Sequence, residues 1–163
     1  MSFAQKSVVR CVDFLNKGKN VISSSLEGDI MIHEILTGNT IVHEWILGSK
    51  LPIEGNTCYC VKALKDDHKF ISTHEDFLVR EFDFNLEEKT MTQSFQYEGH
   101  TNTVRNIGLG SDQSWFVTCC EDQSLWIWNR NDKNSVYLLA GHTDFAVCGE
   151  WISKDTVVST SWD

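Results

Sequence analysis

The amino-acid sequence predicts an all-β fold, and three observations carry the prediction. Apolar residues recur at every second position, as Trp115, Val117 and Cys119 in one run and Leu125 and Ile127 in the next. A period of two places one set of side chains on one face of a sheet. The apolar runs are short and separated by polar turns such as Glu121-Asp122-Gln123-Ser124 and the Asn- and Asp-rich stretch 129–134, the residue types that turns favour. The pattern also repeats. Gly99-His100 returns as Gly141-His142, 42 positions later, a spacing found in arrays of small β units.

The fullest copy runs from Gly99 to Trp128. It opens on Gly99-His100, passes through the strand-like segment Val104 to Leu109 and through Thr118, and ends on Trp126-Ile127-Trp128. On these residues the chain resembles the WD-repeat family of β-propellers, with Asn129 where the family usually has Asp. The resemblance implies a buried, hydrogen-bonded tetrad in each blade, which here would be His100, Thr118, Asp122 and Trp128. A buried carboxylate is costly unless its oxygens accept hydrogen bonds, and His, Thr and an indole N–H can all donate. The implied architecture is an all-β WD-repeat propeller of about three and a half blades. Each blade would be a four-stranded antiparallel sheet, in an incomplete ring.

Blade-like repeats are expected at about 4–46, 54–97, 99–140 and 141–163, the last cut short. In the first, Val9, Val12 and Phe14 take the places of Val104, Ile107 and Leu109. Ile22-Ser23 replaces Val117-Thr118, and Leu26-Glu27-Gly28 replaces Glu121-Asp122-Gln123. Ala4-Gln5 stands where Gly-His should be, Glu27 replaces the Asp, and His33 takes the Trp place. The tetrad is mostly lost there while the strand pattern survives. Ile41 to Ile46 is the expected outer strand, and the loop Leu47 to Asn56 holds Pro52, which cannot donate to a sheet ladder.

The second repeat runs through Cys58, Val61, Ala63, Ile71-Ser72, Glu75-Asp76 and Phe82-Asp83. Ser72 and Asp76 match the tetrad, with Glu54 and Phe82 standing in for His and Trp. A long, exposed, acidic connection is expected from Asn85 to Thr92. The third repeat ends on an outer strand at Ser135 to Ala140. The fourth supplies His142, Ser159 and Asp163 to its tetrad. A lone blade cannot bury both faces, and propellers close with about 4–8 blades. The missing blades are therefore expected from a longer chain, a second copy or a partner.

Composition narrows the function. The 163 residues are 41% hydrophobic, enough for a core. The net charge of -9 argues against a general basic surface for nucleic acid or anionic membranes. No run of about 18 apolar residues predicts a membrane-spanning helix, and the opening MSFAQKSVVRCVDF lacks the pattern of a secretory signal. Cys11, Cys58, Cys60, Cys119, Cys120 and Cys148 fall inside strand-like runs. They read as reduced thiols of an intracellular, cytoplasmic or nuclear protein.

No residue pattern points to a metal, a cofactor or catalysis. Cys58 and Cys60, two apart on a strand, should share a face, and Cys119 and Cys120 should not. Neither spacing is that of a structural zinc hairpin. The Ser, His and Asp residues concentrate in the tetrad, and there is no nucleophile elbow or phosphate-cradling loop.

The resemblance implies a non-catalytic platform that binds proteins or peptides on its top face. The implied positions flank the first-strand valine and precede the tetrad Asp. They are Val8, Arg10 and Leu26; Thr57, Tyr59 and Glu75; Thr103, Arg105 and Glu121; and Phe145, Val147 and Trp162. The strongest partner-binding candidates are Arg10, Tyr59, Glu75, Thr103, Arg105, Glu121, Phe145 and Trp162, since Arg and aromatic residues anchor interfaces. The alternative is an accessory or regulatory subunit of an enzyme complex. The run EGHTNTV…VTCCEDQSLWIW resembles the WD-repeat scaffold that targets cytosolic iron–sulfur protein assembly. Such a scaffold would dock apoproteins without holding a cluster, since no cysteine quartet is present.

Overall fold

A computed structural model describes residues 7–45, 57–66, 68–132 and 136–163. It is built of antiparallel β-meanders, in which each strand pairs with the next in sequence. The first blade holds β1 (Val9–Leu15), β2 (Asn20–Ser25), β3 (Asp29–Glu34) and β4 (Thr40–Trp45). The second holds β5 (Cys58–Ala63), β6 (Lys69–His74), β7 (Val79–Asn85) and β8 (Thr90–Tyr97). The third holds β9 (Val104–Leu109), β10 (Trp115–Cys120), β11 (Leu125–Asn129) and β12 (Val136–Leu139). The fourth has two strands, β13 (Ala146–Ser153) and β14 (Thr156–Ser161). A short 3-10 turn, Asn16–Gly18, joins β1 to β2. Ala4, Gln5, Pro52, Glu54 and the expected loop Leu47 to Asn56 lie outside the described residues.

The strands follow from alternation. Along β10, Phe116 and Cys120 pack toward the second blade while Val117 and Cys119 pack toward the fourth. Each seam between blades is thus a core of its own. Leu15, Ile22, Ile30, Ile32 and Val42 meet Cys58, Val61, Phe70, Phe82 and Phe84 at the first seam. At the second, Ile71, Val79 and Tyr97 meet Val104, Ile107, Phe116 and Trp128. The third seam is small, with Val117, Cys119 and Leu125 against Ala146. Its spacing depends on glycine. A side-chain carbon at Gly108 would run into the carbonyl oxygen of Gly149, and one at Gly149 would lie 2.6 Å from Cys119 Sγ.

Three expectations are corrected. Val12 and Phe14 align with core residues of the third repeat, yet they are 61% and 67% exposed, because among the described residues no blade covers that face of β1. The expected long connection after Asn85 is a short turn, since Asn85 pairs with Thr90 and Phe84 with Met91. The outer strand of the first blade begins at Thr40, one residue before the expected Ile41, and that of the third ends at Leu139, one residue before the expected Ala140. Ile46 and Ser135 lie outside the described residues. Among the described residues the sheets do not close into a ring.

Polar contacts also cross the seams. The buried carboxylate of Glu81 on β7 accepts from Tyr97 Oη at 3.1 Å and from Arg130 Nη2 of the third blade at 2.9 Å. Lys69 Nζ lies 3.8 Å from it, and Arg130 also donates to the Gln113 carbonyl at 3.2 Å. Burial, then the Glu81 charge, raises the Tyr97 hydroxyl far above the usual phenol range, so it stays a donor. Between the first two blades, Asp13 Oδ2 accepts from the Ala63 amide at 2.8 Å.

Candidate functional site

The third blade contains a connected network at its Gly-His end. Trp128 Nε1 donates to Thr118 Oγ1 at 2.8 Å, Thr118 Oγ1 lies 2.7 Å from His100 Nε2, and His100 Nδ1 lies 3.1 Å from Asp122 Oδ2. An ionised carboxylate can only accept. It therefore sets the imidazole proton on Nδ1 and leaves Nε2 to accept from Thr118. Burial alone would raise the Asp122 pKa. Hydrogen bonds from His100, Ser124 and the Thr101 amide overcome this and hold it well below the usual carboxylate range. Gly99 belongs to the same arrangement, since a side-chain carbon there would lie 2.6 Å from the Trp126 ring, which stacks on Trp128.

The other blades modify this plan. In the fourth, His142 Nε2 lies 2.9 Å from Ser159 Oγ, and Nδ1 lies 3.2 Å from Asp163. In the second, Ser72 and Asp76 are drawn apart. Ser72 Oγ bonds His74 Nε2 at 2.9 Å, while Asp76 takes a two-pronged contact from Arg80, with Nη1 at 2.9 Å. Arg80 and Glu81 stand where Trp126 and Ile127 stand in the third repeat, and charged residues inside an otherwise apolar strand were the available signal. In the first, His33 Nε2 meets Ser23 Oγ at 3.3 Å, in the place of the indole. A buried acid that sequence reasoning missed, Asp29, bonds His43 Nε2 at 2.9 Å and Ser25 Oγ at 3.1 Å. It lies two positions beyond Glu27.

His100, Cys120 and Asp122 bring three possible metal-ligand atoms within 4.8 Å of one another. Each is engaged in the network. His100 uses both nitrogens, and the Cys120 thiol donates to the Asn102 carbonyl at 3.0 Å. Burial keeps that thiol protonated, with its pKa pushed far up. Hydrogen bonding accounts for the arrangement.

A second feature recurs in every blade. The pairing of each inner strand with its neighbour slips by one residue, leaving Arg10, Tyr59, Arg105 and Val147 without a cross-strand partner. A bulge of this kind re-aims a side chain and often lies beside a functional site. Just before each bulge, a carbonyl accepts a backbone hydrogen bond from the turn after the second strand. The pairs are Leu26 to Val8 at 2.9 Å, Glu75 to Thr57 at 3.0 Å, Glu121 to Thr103 at 3.0 Å, and Trp162 to Phe145 at 3.2 Å. One rim therefore carries the bulged residue and this closing pair from all four blades.

The rim is continuous across the first three blades. The Arg10 and Arg105 guanidinium carbons lie 4.9 Å and 4.4 Å from the centre of the Tyr59 ring. Arg105 also pairs with Glu121. Glu75 accepts from the Thr57 amide at 3.4 Å. In the fourth blade, Phe145 and Trp162 approach to 5.2 Å between ring centres, with Trp162 66% exposed. Thr103 is buried and contributes its carbonyl to the rim. The bulge has one further effect: Cys58 packs at the first seam and Cys60 at the second, so the two do not share the face that simple alternation predicts.

Comparison with known proteins agrees with this geometry. Residues 91–129 match the family described as WD domain, G-beta repeat. WD and tetratricopeptide repeats protein 1 of Mus musculus and of Homo sapiens are each 30% identical over 81 residues. The match takes in 47% of this chain and 12% of the relative's length. Among solved structures, U3-55K superposes with a TM-score of 0.81 at 14% identity, covering 97% of this chain and 47% of the other. The RRP9 WD40 repeats superpose with a TM-score of 0.81 at 15% identity, covering 97% and 46%. The chain thus spans about half the length of these structures. With a complete tetrad in the third blade, the same meander in its neighbours and this match over residues 91–129, the chain carries a WD repeat and shares the fold of the WD-repeat β-propellers.

Proposed function

We propose that the protein is a non-catalytic interaction scaffold that binds a protein or peptide on the bulge-bearing rim. WD-repeat propellers generally serve as protein-interaction platforms. The observation that carries the reading is the stacked trio Arg10–Tyr59–Arg105, which draws side chains from three blades into one surface. Its members are held in place before any partner arrives, which limits the entropy lost on binding. Arg and aromatic anchors beside exposed Trp162 suit a binding hot spot. Glu75, Glu121 and Phe145 frame the same surface. The six free thiols fit an intracellular location. Among the described residues, no helix is long and apolar enough to cross a membrane.

The test is affinity capture with the full-length protein followed by identification of what binds. Tyr59→Ala and Trp162→Ala should each reduce capture of a specific partner at least tenfold, as for hot-spot truncations of about 1.4 kcal/mol or more. The circular dichroism spectrum should remain that of the parent. Undiminished capture by both variants would sink the proposal. Capture of apo iron–sulfur proteins, or of a catalytic subunit, would select the accessory-subunit reading.

A further inference from the structure

We infer that Cys11 and Cys60 form an oxidation site, a vicinal thiol pair that a peroxide converts to a disulfide joining the first blade to the second. The two residues occupy the same place in their strands, immediately after the bulged Arg10 and Tyr59. Each bulge turns its own residue to the rim. β1 lies against β5, and Cys11 packs against the cores of both the first and the second seam, which brings its sulfur to that of Cys60. The sulfurs lie 3.7 Å apart. That is contact distance, and a bond of about 2.05 Å needs only a small approach.

The environments of the two thiols differ in a way that assigns their roles. Cys11 is half-buried, and Cys60 is 3% exposed. The sulfur–sulfur hydrogen bond with Cys60, opposed by burial and assisted by the Val61 backbone and the Lys62 ammonium, holds the Cys11 pKa below the ordinary thiol range. Cys11, the more exposed of the two, is therefore the sulfur that an oxidant reaches, and the buried Cys60 is the thiol that resolves it, the arrangement of a redox-responsive pair. Burial pushes the Cys58, Cys119, Cys120 and Cys148 thiols up instead, so oxidation is selective.

The chemistry balances with hydrogen peroxide as oxidant. The Cys11 thiolate attacks one peroxide oxygen, an S–O bond forms, the O–O bond breaks and hydroxide leaves. The Cys60 sulfur then attacks the Cys11 sulfur. The S–S bond forms and the S–O bond breaks, and the hydroxyl departs as water with the Cys60 proton. Two thiols are oxidised and one peroxide is reduced to water.

The full-length protein, freed of reductant, is treated with hydrogen peroxide, alkylated and mapped by mass spectrometry without reduction. The expected product is one cross-linked peptide pair joining Cys11 to Cys60, absent after dithiothreitol. Cys60→Ser should replace it with a dimedone-reactive sulfenic acid at Cys11, and Cys11→Ser should remove both signals. Cross-linking at other cysteines, or oxidised Cys11 without a cross-link in the parent protein, overturns the proposal. So does an unmodified Cys11. The parent map alone decides if a variant does not fold.

Discussion

Asp122 shows how much one side chain organises. Its carboxylate accepts from His100, the Thr101 amide, the Ser124 amide and the Ser124 hydroxyl, and so ties the Gly-His turn to the turn between β10 and β11. Truncation leaves several of these donors without a partner. Asp122→Ala should therefore destabilise the protein by roughly 1–3 kcal/mol. Denaturant unfolding measures this directly, and a midpoint equal to that of the parent would remove Asp122 from the network. His100, Thr118, Asp122 and Trp128 were legible in the sequence as a spaced motif, whereas the Thr101 and Ser124 donors were not. Asp76 reads in the sequence as the tetrad acid of the second repeat, and it bonds Arg80 instead. Its partner is decided by Arg80, whose guanidinium reaches it from the adjacent strand and outweighs the cost of burial, holding the pKa down. Which of two nearby donors captures a carboxylate depends on geometry that residue spacing does not encode.

At the scale of strands and blades, the seam between the second and third blades is joined by ion pairs of Arg130, to Glu81 and to Asp66, as well as by its apolar core. Arg130, just past β11, reaches back to Glu81 on β7. Breaking a buried pair by removing one partner costs about 3–5 kcal/mol. Tyr97 and Lys69 would still support Glu81, so Arg130→Ala should destabilise by about 2–3 kcal/mol. Adding Glu81→Gln should recover part of the loss, because the stranded charge is then gone. Urea titration of the two variants checks both statements, and an additive double variant would show that the pair is not coupled. The strands themselves were readable from alternation. The bulges were not, since a slip in pairing depends on the partner strand. They redirect Arg10, Tyr59, Arg105 and Val147 together and separate Cys58 from Cys60.

For the whole molecule, buried titratable groups set a pH window. Burial, reinforced by the Arg80 charge, depresses the His74 pKa from 6.5 to about 3, and burial also lowers that of His33. The unfolded chain then binds protons that the folded one refuses, so stability falls as pH drops below 6.5. The depressed carboxyls of Asp76 and Asp122 extend the loss below their ordinary value of 3.8. On the alkaline side, Cys58, Cys119 and Cys120 have thiols raised by burial above 9.0, so the unfolded chain loses protons first and stability falls as pH rises past that value. The melting temperature should be highest between about pH 6.5 and pH 9 and decline on both sides. A melting temperature constant down to pH 4 would contradict the buried, neutral state of His74.

The sequence by itself determined the β class, the repeat and the residues of the fullest tetrad, because a period of two and a spaced hydrogen-bonding motif are local properties of a chain. Only the tertiary structure decided which apolar residues are covered. Val12 and Phe14 carry the same pattern as buried residues of the third blade, yet they are exposed, since burial requires a neighbouring sheet. It also decided the Arg10–Tyr59–Arg105 stack and the Cys11–Cys60 contact. Each joins residues far apart in the chain, through strand packing and a one-residue slip in register that no local pattern specifies.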